Sequence, residues 1–383
     1  MAGKPSPVTP AVVAWAVEQD GRSVDELAVT LKVDPETLRG WMRGDVQPTV
    51  GEVSRLAQRL RRPRALFFLP SAPTSSAIPT AFRRPPGSDP GHRVSQPALL
   101  AARRAYRVQR AVADAREGYL GPVPLPRADE TADRPADVAA TVRQWLQVAD
   151  DQTWGDEYAA LNDWRRALDD RGILTFALQL GPDEVRGFAR WDELAPLIVV
   201  NTVRVPPQVR LYTIGHELAH LVLRDSAACV EPRGDRMLVD SPTERWCEMF
   251  AATLLMPAAE VRALMRARGV DRGQGGLDAV SAVQRRFRVS GRAAAVRLQD
   301  LGYAVDGLYA RVLATFRPKQ PKKGTEQTPM SPPRHTQRLR EYGEHTLETV
   351  LASLPERDAL SVLRMQVDDV RKLADEVPSV TAL

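Results

Sequence analysis

Two histidines and a glutamate lie within one apolar segment of the chain, residues 211–223. They form the pattern His216-Glu217-x-x-His220, and the chain has only five histidines, so two of the five share one helical turn. Because an α-helix turns once in 3.6 residues, side chains four positions apart lie on nearly the same face, and both imidazoles can bind one zinc ion. The apolar neighbours are Ile214, Leu218, Leu221, Val222 and Leu223. The segment therefore predicts a buried helix in which a metal offsets the cost of burying polar groups.

Glu217 occupies a defined position in this pattern. It directly follows the first histidine, where a zinc peptidase places its general base. From there a carboxylate can reach the open coordination position and take a proton from the water in it. A solvated helix face can carry the same letters by chance, but the apolar neighbours argue against such a face. The pattern predicts Glu217 as a catalytic residue and Zn²⁺ as the cofactor.

A third protein ligand is needed, because catalytic zinc takes three and leaves one position open. A second predicted helix, residues 243–257, supplies Glu244 on its apolar face and Glu248 one turn later. Glu244 is the preferred ligand, and Glu248 is either the ligand instead or a carboxylate that orients a histidine. Asp225 is a further alternative, because its spacing from His220 matches that of aspartate-liganded zinc peptidases. Either glutamate can also be a surface charge on an amphipathic helix.

Both segments carry further residues at fixed spacing. They read Arg210-x-Tyr212-Thr213-x-x-His216-Glu217-x-x-His220 and Glu244-x-x-Cys247-Glu248-x-Phe250-Ala251-Ala252-x-Leu254-Leu255-Met256-Pro257. Together they resemble the ImmA/IrrE metallopeptidase family, whose second motif is similar to E-x-x-A-N-x-F-A-A-x-L-L-M-P. The resemblance implies Glu244 as the third ligand. Cys247 and Glu248 stand where the family has alanine and asparagine, so the packing or the groups around the ligands differ here.

Length, charge and cysteine content limit the alternatives. The 383 residues exceed one ordinary domain and predict two or three. Two cysteines without an apolar N-terminal segment fit the cytoplasm, and no apolar run reaches the ~18 residues of a membrane span, so we expect no membrane partner. The net charge of +5 and the sequence pI of about 9.4 permit nucleic-acid binding without deciding it.

Four short helices are predicted within residues 1–70. Their ranges are Pro10–Glu18, Ser23–Leu31, Pro35–Arg43 and Val50–Leu60. Capping residues Ser23, Glu26 and Asp34 begin the second and third helices, and Gly44 ends the third. The tight turn at residues 32–34 has helix-turn-helix spacing. The predicted core residues are Leu27, Val33, Leu38, Trp41 and Leu56. The pattern resembles the Cro/phage-repressor (XRE) type of DNA-binding domain.

This second resemblance implies that the third helix enters the major groove of duplex DNA. Glu36, Thr37 and Arg39 would then contact base edges, and Lys32 and Arg43 would contact phosphates. We expect a homodimer on a two-fold site. The alternative is a protein-interaction module, which Glu36 favours, because a carboxylate repels phosphate unless it accepts a hydrogen bond from a cytosine amino group.

Between these two regions the sequence predicts a linker, followed by helices and then strands. Residues 71–97 are rich in proline, serine and threonine and predict a linker, with Ile78–Arg84 laid against a domain. Predicted helices follow at Ala98–Glu117, Ala136–Val148 and Asp156–Asp170, and predicted strands at Ile173–Leu180, Val185–Trp191 and Pro196–Asn201. A small sheet before an H-E-x-x-H helix is typical of zincins, in which an edge strand pairs with an extended peptide substrate. Asn201 and Arg210 either orient the site or serve as a turn cap and a surface charge.

The predicted organisation is mainly α with a small β-sheet (α+β). Residues 98–270 form a zincin-like metallopeptidase domain, and residues 271–316 contain a second helix-turn-helix-like pair, Ala279–Phe287 and Gly291–Leu301, which is either a packing subdomain or another DNA contact. Residues 317–340 are a basic, proline-rich flexible linker. Residues 341–383 form two or three short helices. Their inward residues are Leu347, Val350, Leu351, Leu360, Val362 and Leu363.

Two functions are compatible with these patterns. The first is a DNA-binding regulator whose zinc endopeptidase domain cleaves a protein partner such as a repressor, in stress or mobile-element control, as the resemblance implies. The second is a non-proteolytic repressor that uses the same fold to sense metal or ligand. Glu217 favours the enzyme, because a sensor needs the two histidines and has no use for a general base.

Overall fold

The computed structural model describes residues 4–73, 95–118, 121–181, 185–225, 228–230, 242–315 and 332–377. Over these ranges the chain is mainly α-helical with one four-stranded sheet, which confirms the predicted fold class. The chain divides into an N-terminal unit, Met1–Arg103, and a C-terminal unit, Arg104–Leu383. Among the described helices, none is both long enough and apolar enough to cross a bilayer.

The N-terminal unit contains the four predicted helices. They are α1 (Pro10–Glu18), α2 (Val24–Leu31), α3 (Pro35–Arg43) and α4 (Val50–Leu60), followed by a 3₁₀ turn at Arg64–Phe68. The Ser23 hydroxyl accepts from the Glu26 N–H, and the Glu26 carboxylate accepts from the Ser23 N–H at 2.7 Å, so the predicted capping box begins α2. Lys32, with φ 58°, and Gly44, with φ 88°, end α2 and α3 in the left-handed conformation.

The core of the N-terminal unit uses the predicted residues. Leu27, Leu38, Trp41 and Leu56 are fully buried, and Val33 is partly buried against them. Helices α2 and α3 are therefore joined by a tight turn and share one core, as helix-turn-helix spacing requires. Most of the predicted linker, including Ile78–Arg84, lies outside the described residues.

The C-terminal unit is built around its sheet. Helix α5 (Gln96–Arg116) contains the boundary between the two units, and the next helices are α6 (Pro135–Trp145) and α7 (Glu157–Asp169). The strands are β1 (Leu174–Leu178), β2 (Val185–Arg190), β3 (Leu197–Asn201) and β4 (Ala228–Val230). The strand order is β1-β3-β2-β4, with β1 parallel to β3 and β2 antiparallel to both neighbours. All five residues of β3 are buried, because a central strand is covered on both faces.

Two helices lie against each other, and the first of them also packs on strands β2 and β3. They are α8 (Pro207–Val222), which lies between β3 and β4 in sequence, and α9 (Pro242–Leu255), which follows β4. Gly215 lets the two helices approach closely, because a Cβ there would lie 3.4 Å from the Ala251 Cβ. Ile198 and Ile214, together with Phe250, belong to one buried core. The two predicted metal helices are therefore held against each other by apolar packing.

The helices after α9 extend the same core. They are α10 (Ala258–Ala267), α11 (Leu277–Phe287), α12 (Gly291–Asp300) and α13 (Leu308–Thr315). Val280 and Val283 of α11 and Leu298 of α12 are fully buried in the cluster that contains Ile214 and Phe250. This packing favours the interpretation of the predicted helix pair as a packing element.

The last four helices begin earlier than expected. They are α14 (Arg334–Tyr342), α15 (Glu344–Ser353), α16 (Glu356–Leu363) and α17 (Val367–Glu376). The predicted flexible linker to residue 340 is therefore wrong for its last seven residues, 334–340. The physical reason is that the charged groups of this polar segment find partners when they are buried. Arg338 and Tyr342 are buried, and Glu341 pairs with Arg104 and Arg338. The Arg338 guanidinium also donates to the Leu363 carbonyl at 2.8 Å.

Among the predicted inward residues of this region, four are buried: Leu347, Val350, Leu351 and Leu363. Leu360 and Val362 are only half-buried. Residues 316–331, which include most of the predicted linker, lie outside the described part of the chain.

Candidate metal centre

The two histidines of α8 and one glutamate of α9 converge. The Nε2 atom of His216 lies 3.1 Å from Glu244 Oε2, and that of His220 lies 3.6 Å from Glu244 Oε1. One ligand atom from each residue can be chosen so that all three lie within 4.8 Å of one another. The structure therefore places all three sequence-predicted metal ligands in one site.

The spacing of these atoms fits a tetrahedral ion. Ligands about 2.0–2.1 Å from zinc at tetrahedral angles lie roughly 3.3 Å from each other. His216 Nε2 lies 3.1 Å from Glu244 Oε2, and His220 Nε2 lies 3.6 Å from the other carboxylate oxygen, Oε1, so both distances are close to that value. Two imidazoles and one carboxylate are also a ligand set of catalytic zinc, which keeps its fourth position open. His216 and His220 are buried, with 6% and 1% of their surface exposed, so the residues present fit a zinc ion.

The other two candidate ligands lie behind the histidines. Glu248 Oε1 is 3.4 Å from the Nδ1 atom of His216, and Asp225 Oδ2 is 3.3 Å from the Nδ1 atom of His220. These are the ring nitrogens opposite those that meet Glu244. Each carboxylate can accept the Nδ1 proton and leave Nε2 free for a metal. The geometry thus favours Glu244 as the third ligand over both alternatives.

The charge state of the glutamates suits metal binding. Burial alone would raise the pKa of Glu244, but the hydrogen bond and charge of His216, and then the charge of His220, lower it below the ordinary value. For Glu248, burial likewise raises the pKa. The contact with His216, and to a smaller extent the hydrogen bond from Tyr212, lower it, so that the net shift is downward. Both side chains are therefore anionic at neutral pH, as metal coordination requires.

Glu217 is completely buried, and strand β2 passes directly over it. A Cβ at Gly187 of β2 would lie 2.7 Å from both Thr213 Cγ2 and the Val199 carbonyl oxygen, and 3.2 Å from Glu217 Oε1. Only glycine permits this approach, and the pairing of β2 with β4 is irregular at the same point. The strand therefore places Glu217 at the interface of the sheet and the metal helix.

Tyr106 of α5 also belongs to this environment, although sequence reasoning did not identify it. Its ring is buried and meets the ring of Phe188 of β2 edge-on at 5.7 Å. Burial raises the pKa of Tyr106, the nearby Arg190 guanidinium lowers it, and the charge of Glu217 raises it further, so the net shift is upward. No pattern near Tyr106 in the sequence indicates this position, because the contact depends on how α5 packs on the sheet.

Asn201 and Arg210 hold loops and do not contact the ligands. The Asn201 side chain accepts from the N–H groups of Leu180 and Val203 and donates to the carbonyls of Gly181 and Val185. The Arg210 guanidinium donates to the Val205 carbonyl at 2.7 Å. Among the predicted alternatives, the structure supports the turn cap for Asn201 and a similar loop-holding contact for Arg210.

A cavity of about 570 Å³ opens beside the ligands. One part of it is lined by Asp225, which contacts His220, and by Thr243, which precedes Glu244 in sequence. The remaining lining includes Arg127, Asp129 and Glu130. The cavity is large enough for a side chain of a peptide, and its lining reaches His220 through the contact with Asp225.

The predicted DNA contacts lie on the exposed part of α3 and the turn before it. Lys32, Glu36 and Arg43 are exposed, and Thr37 and Arg39 are half-buried. The arginines already contact carboxylates: Arg39 lies 2.6 Å from Asp25, and Arg43 lies 2.7 Å from both Glu36 and Asp45. The five residues are thus spread from the turn before α3 to its last residue, and DNA binding by Arg39 and Arg43 would have to replace internal ion pairs.

Comparisons with known proteins concern the C-terminal unit. No curated protein matches the chain significantly. Residues 168–299 match the model of the Peptidase_M78 family, described as the IrrE N-terminal-like domain. The matched residues run from the end of α7 through the sheet and both metal helices to α12, and so contain His216, Glu217, His220 and Glu244. This part of the chain is similar to the IrrE N-terminal-like domain, which supports a metallopeptidase-like function.

Proposed function

We propose that the protein is a zinc-dependent endopeptidase joined to a DNA-binding unit, a cytoplasmic regulator that cleaves a protein substrate such as a repressor. The observation that carries the proposal is the convergence of His216, His220 and Glu244 with the buried carboxylate of Glu217 one residue from the first ligand. The free, buried thiol of Cys247 is compatible with a reducing compartment.

Each residue of the site has a separate role in peptide hydrolysis. His216, His220 and Glu244 hold the ion, which when bound polarises the substrate carbonyl and lowers the pKa of water towards neutrality. Glu217 accepts the proton of the attacking water and transfers it to the nitrogen of the leaving amine. The close packing of β2 over Glu217 keeps bulk water away from this carboxylate, which strengthens its interaction with developing charge.

An extended substrate would pair with one edge of the sheet. At the other edge, the backbone N–H and carbonyl of Thr175 in β1 are already bonded to Asp169 at 3.2 Å and Arg165 at 2.9 Å. Strand β4 is the opposite edge, next to β2 and its glycine at Glu217. We therefore place the substrate backbone along β4, with side chains reaching the cavity beside Asp225.

The test is the substitution Glu217→Gln, which keeps the shape of the side chain and removes the base. We expect the variant to fold and to retain zinc, while cleavage of the protein substrate falls on the order of a hundredfold or more. The measurement is the search for cleaved proteins in cells that carry the intact protein or the variant, combined with zinc analysis of both. Cleavage products equally abundant in the two strains would contradict the proposal.

The tight turn between α2 and α3 in the N-terminal unit favours a second candidate, a DNA-binding repressor whose metal site acts only as a sensor. In this case His216 and His220 matter and Glu217 does not. A strain with Glu217→Gln would then regulate its target genes as the intact strain does, whereas a strain with His216→Ala would not. This comparison separates hydrolysis from metal sensing without knowledge of the substrate.

A further inference from the structure

A short hydrogen-bonded chain links the two metal helices behind His216. The Tyr212 hydroxyl of α8 donates to Glu248 Oε2 of α9 at 2.7 Å and also contacts the Glu248 carbonyl oxygen at 3.2 Å. The other carboxylate oxygen, Oε1, faces His216 Nδ1 at 3.4 Å. Tyr212 lies one helical turn before His216, and Glu248 one turn after Glu244, so the chain runs alongside the ligands.

We propose that Tyr212 and Glu248 form a positioning pair that fixes the tautomer and ring orientation of His216 and thereby sets the affinity of the site for its metal. The inference rests on the proposed zinc site. A histidine that binds metal through Nε2 must carry its proton on Nδ1, and an acceptor at Nδ1 selects that tautomer. Glu248 is this acceptor, and Tyr212 holds the acceptor in place.

A carboxylate has a specific advantage at position 248. Its two oxygens can serve two donors at once: Oε2 accepts from the phenol, and Oε1 lies 3.4 Å from the imidazole Nδ1. A side-chain amide has only one acceptor oxygen and no charge, so it cannot hold both donors equally. The negative charge also strengthens the hydrogen bond to His216 and increases the basicity of the ring as a ligand.

The second histidine has a similar arrangement, in which the carboxylate lies beyond the end of its helix. Asp225 lies 3.3 Å from His220 Nδ1 just beyond the end of α8, and half of its side chain is exposed. Its backbone N–H donates to the His220 carbonyl at 2.8 Å, which ties the residue locally. Glu248 instead belongs to the helix that supplies Glu244. Loss of Glu248 should therefore disturb the site more than loss of Asp225.

The experiment measures zinc affinity of the full-length protein by competition with a chromophoric chelator. We expect Glu248→Ala to weaken zinc binding roughly ten- to hundredfold, Glu248→Gln to weaken it less, and Tyr212→Phe by a few-fold. In the double variant Glu248→Ala with Tyr212→Phe, the tyrosine substitution should add nothing, because Tyr212 acts through Glu248.

A matched control and a spectroscopic readout separate positioning from general damage. Glu260→Gln changes a carboxylate that is paired with Arg286, and it should leave zinc affinity unchanged. With Co²⁺ in place of zinc, Tyr212→Phe should shift the visible absorption bands while the melting temperature stays near that of the unchanged protein. Tyr212→Phe also provides the test if Glu248→Ala does not fold.

Two results would overturn the inference. The first is unchanged zinc affinity in both Glu248→Ala and Tyr212→Phe. The second is that Tyr212→Phe weakens zinc binding as much in the Glu248→Ala background as it does alone. Either result would leave the zinc site itself in place. Absence of zinc binding by the unchanged protein would instead contradict the proposed function, so the two failures are distinguishable.

Discussion

At the scale of single residues, the ring nitrogen that an acidic residue faces determines its role. A residue that faces Nε2 can bind the metal, and one that faces Nδ1 can orient the histidine. Spacing in the sequence offered Glu244, Glu248 and Asp225 as alternatives for the third ligand, and all three lie near the histidines in space. Only Glu244 faces the two Nε2 atoms. Sequence spacing cannot distinguish Nδ1 from Nε2, because that depends on the rotation of the imidazole and on the distance between two helices.

Removal of Glu244 should therefore affect the metal far more than removal of Asp225. We expect Glu244→Ala to hold little zinc after purification, because two imidazoles alone remain as ligands. Asp225→Ala should retain most of the zinc with somewhat lower affinity, because an acceptor behind His220 is lost. Zinc content per chain measured by atomic emission checks both. High occupancy in Glu244→Ala and low occupancy in Asp225→Ala would reverse the assignment.

Gly187 is a second residue whose role depends on a close approach. We expect Gly187→Ala to destabilise the protein by about 1–3 kcal/mol, because the new methyl group meets the Val199 carbonyl and Thr213 at 2.7 Å and cannot be accommodated without a backbone shift. Denaturant unfolding measures the change. Gly155→Ala is the control, since a Cβ there has no atom within 4 Å. An equal, small effect in both variants would show that β2 moves away at little cost.

At the scale of helices and strands, local signals in the sequence located most elements. The capping box at Ser23, the Asp34-Pro35 start and Gly44 predicted the helix ends of the N-terminal unit closely, because caps act within one turn. Helix α14 was missed, since its burial depends on ion pairs with Arg104, a residue more than two hundred positions away in the sequence. Strand β4 was also missed, because its three residues are too few to show alternation.

Helix α3 carries the prediction for DNA. We expect the full-length protein to bind duplex DNA with an affinity that falls as salt rises. Arg39→Ala should relax sequence preference, and Arg43→Ala should weaken binding to all duplexes alike and flatten the salt dependence. The measurement is fluorescence anisotropy with several duplexes over a range of salt concentrations.

The internal ion pairs of these arginines define what would contradict this prediction. Arg43 contacts Glu36 and Asp45, and Arg39 contacts Asp25, so part of their charge is already neutralised. If the protein shows no salt-sensitive DNA binding and Glu36→Gln does not produce it, the alternative of a protein-interaction module replaces the DNA-binding interpretation.

At the scale of the whole C-terminal unit, one partly buried carboxylate connects elements that are distant in sequence. Asp169 at the end of α7 accepts from the Thr175 N–H of β1, and Gly343 at the end of α14 lies against it, since a Cβ there would be 2.9 Å from Asp169 Oδ2. Burial raises the pKa of Asp169 from 3.8 to about 7, although Arg165 and the Thr175 N–H act in the opposite direction. The other charged groups facing it are Asp170, which raises the pKa, and Arg116, which lowers it.

This raised pKa makes stability depend on pH in a definite direction. The folded protein holds the Asp169 proton more tightly than the unfolded chain, so the contribution is complete below about pH 4 and is lost as pH rises through about 7. The size of the loss is of the order of 4 kcal/mol at most for a shift of this magnitude. Asp169→Asn keeps an oxygen that accepts from the Thr175 N–H and cannot ionise.

We therefore expect Asp169→Asn to be more stable than the unchanged protein at pH 8, less so at pH 5, and to differ little from it below about pH 4. The measurement is the free energy of unfolding in denaturant at several pH values, with Asp163→Asn, a more exposed carboxylate on the same helix, as the control. The contact between Gly343 and Asp169 should contribute to this pH dependence of stability, because Gly343 helps to exclude water from the carboxylate. A variant whose stability falls with pH as steeply as that of the unchanged protein would show that Asp169 is not the group responsible.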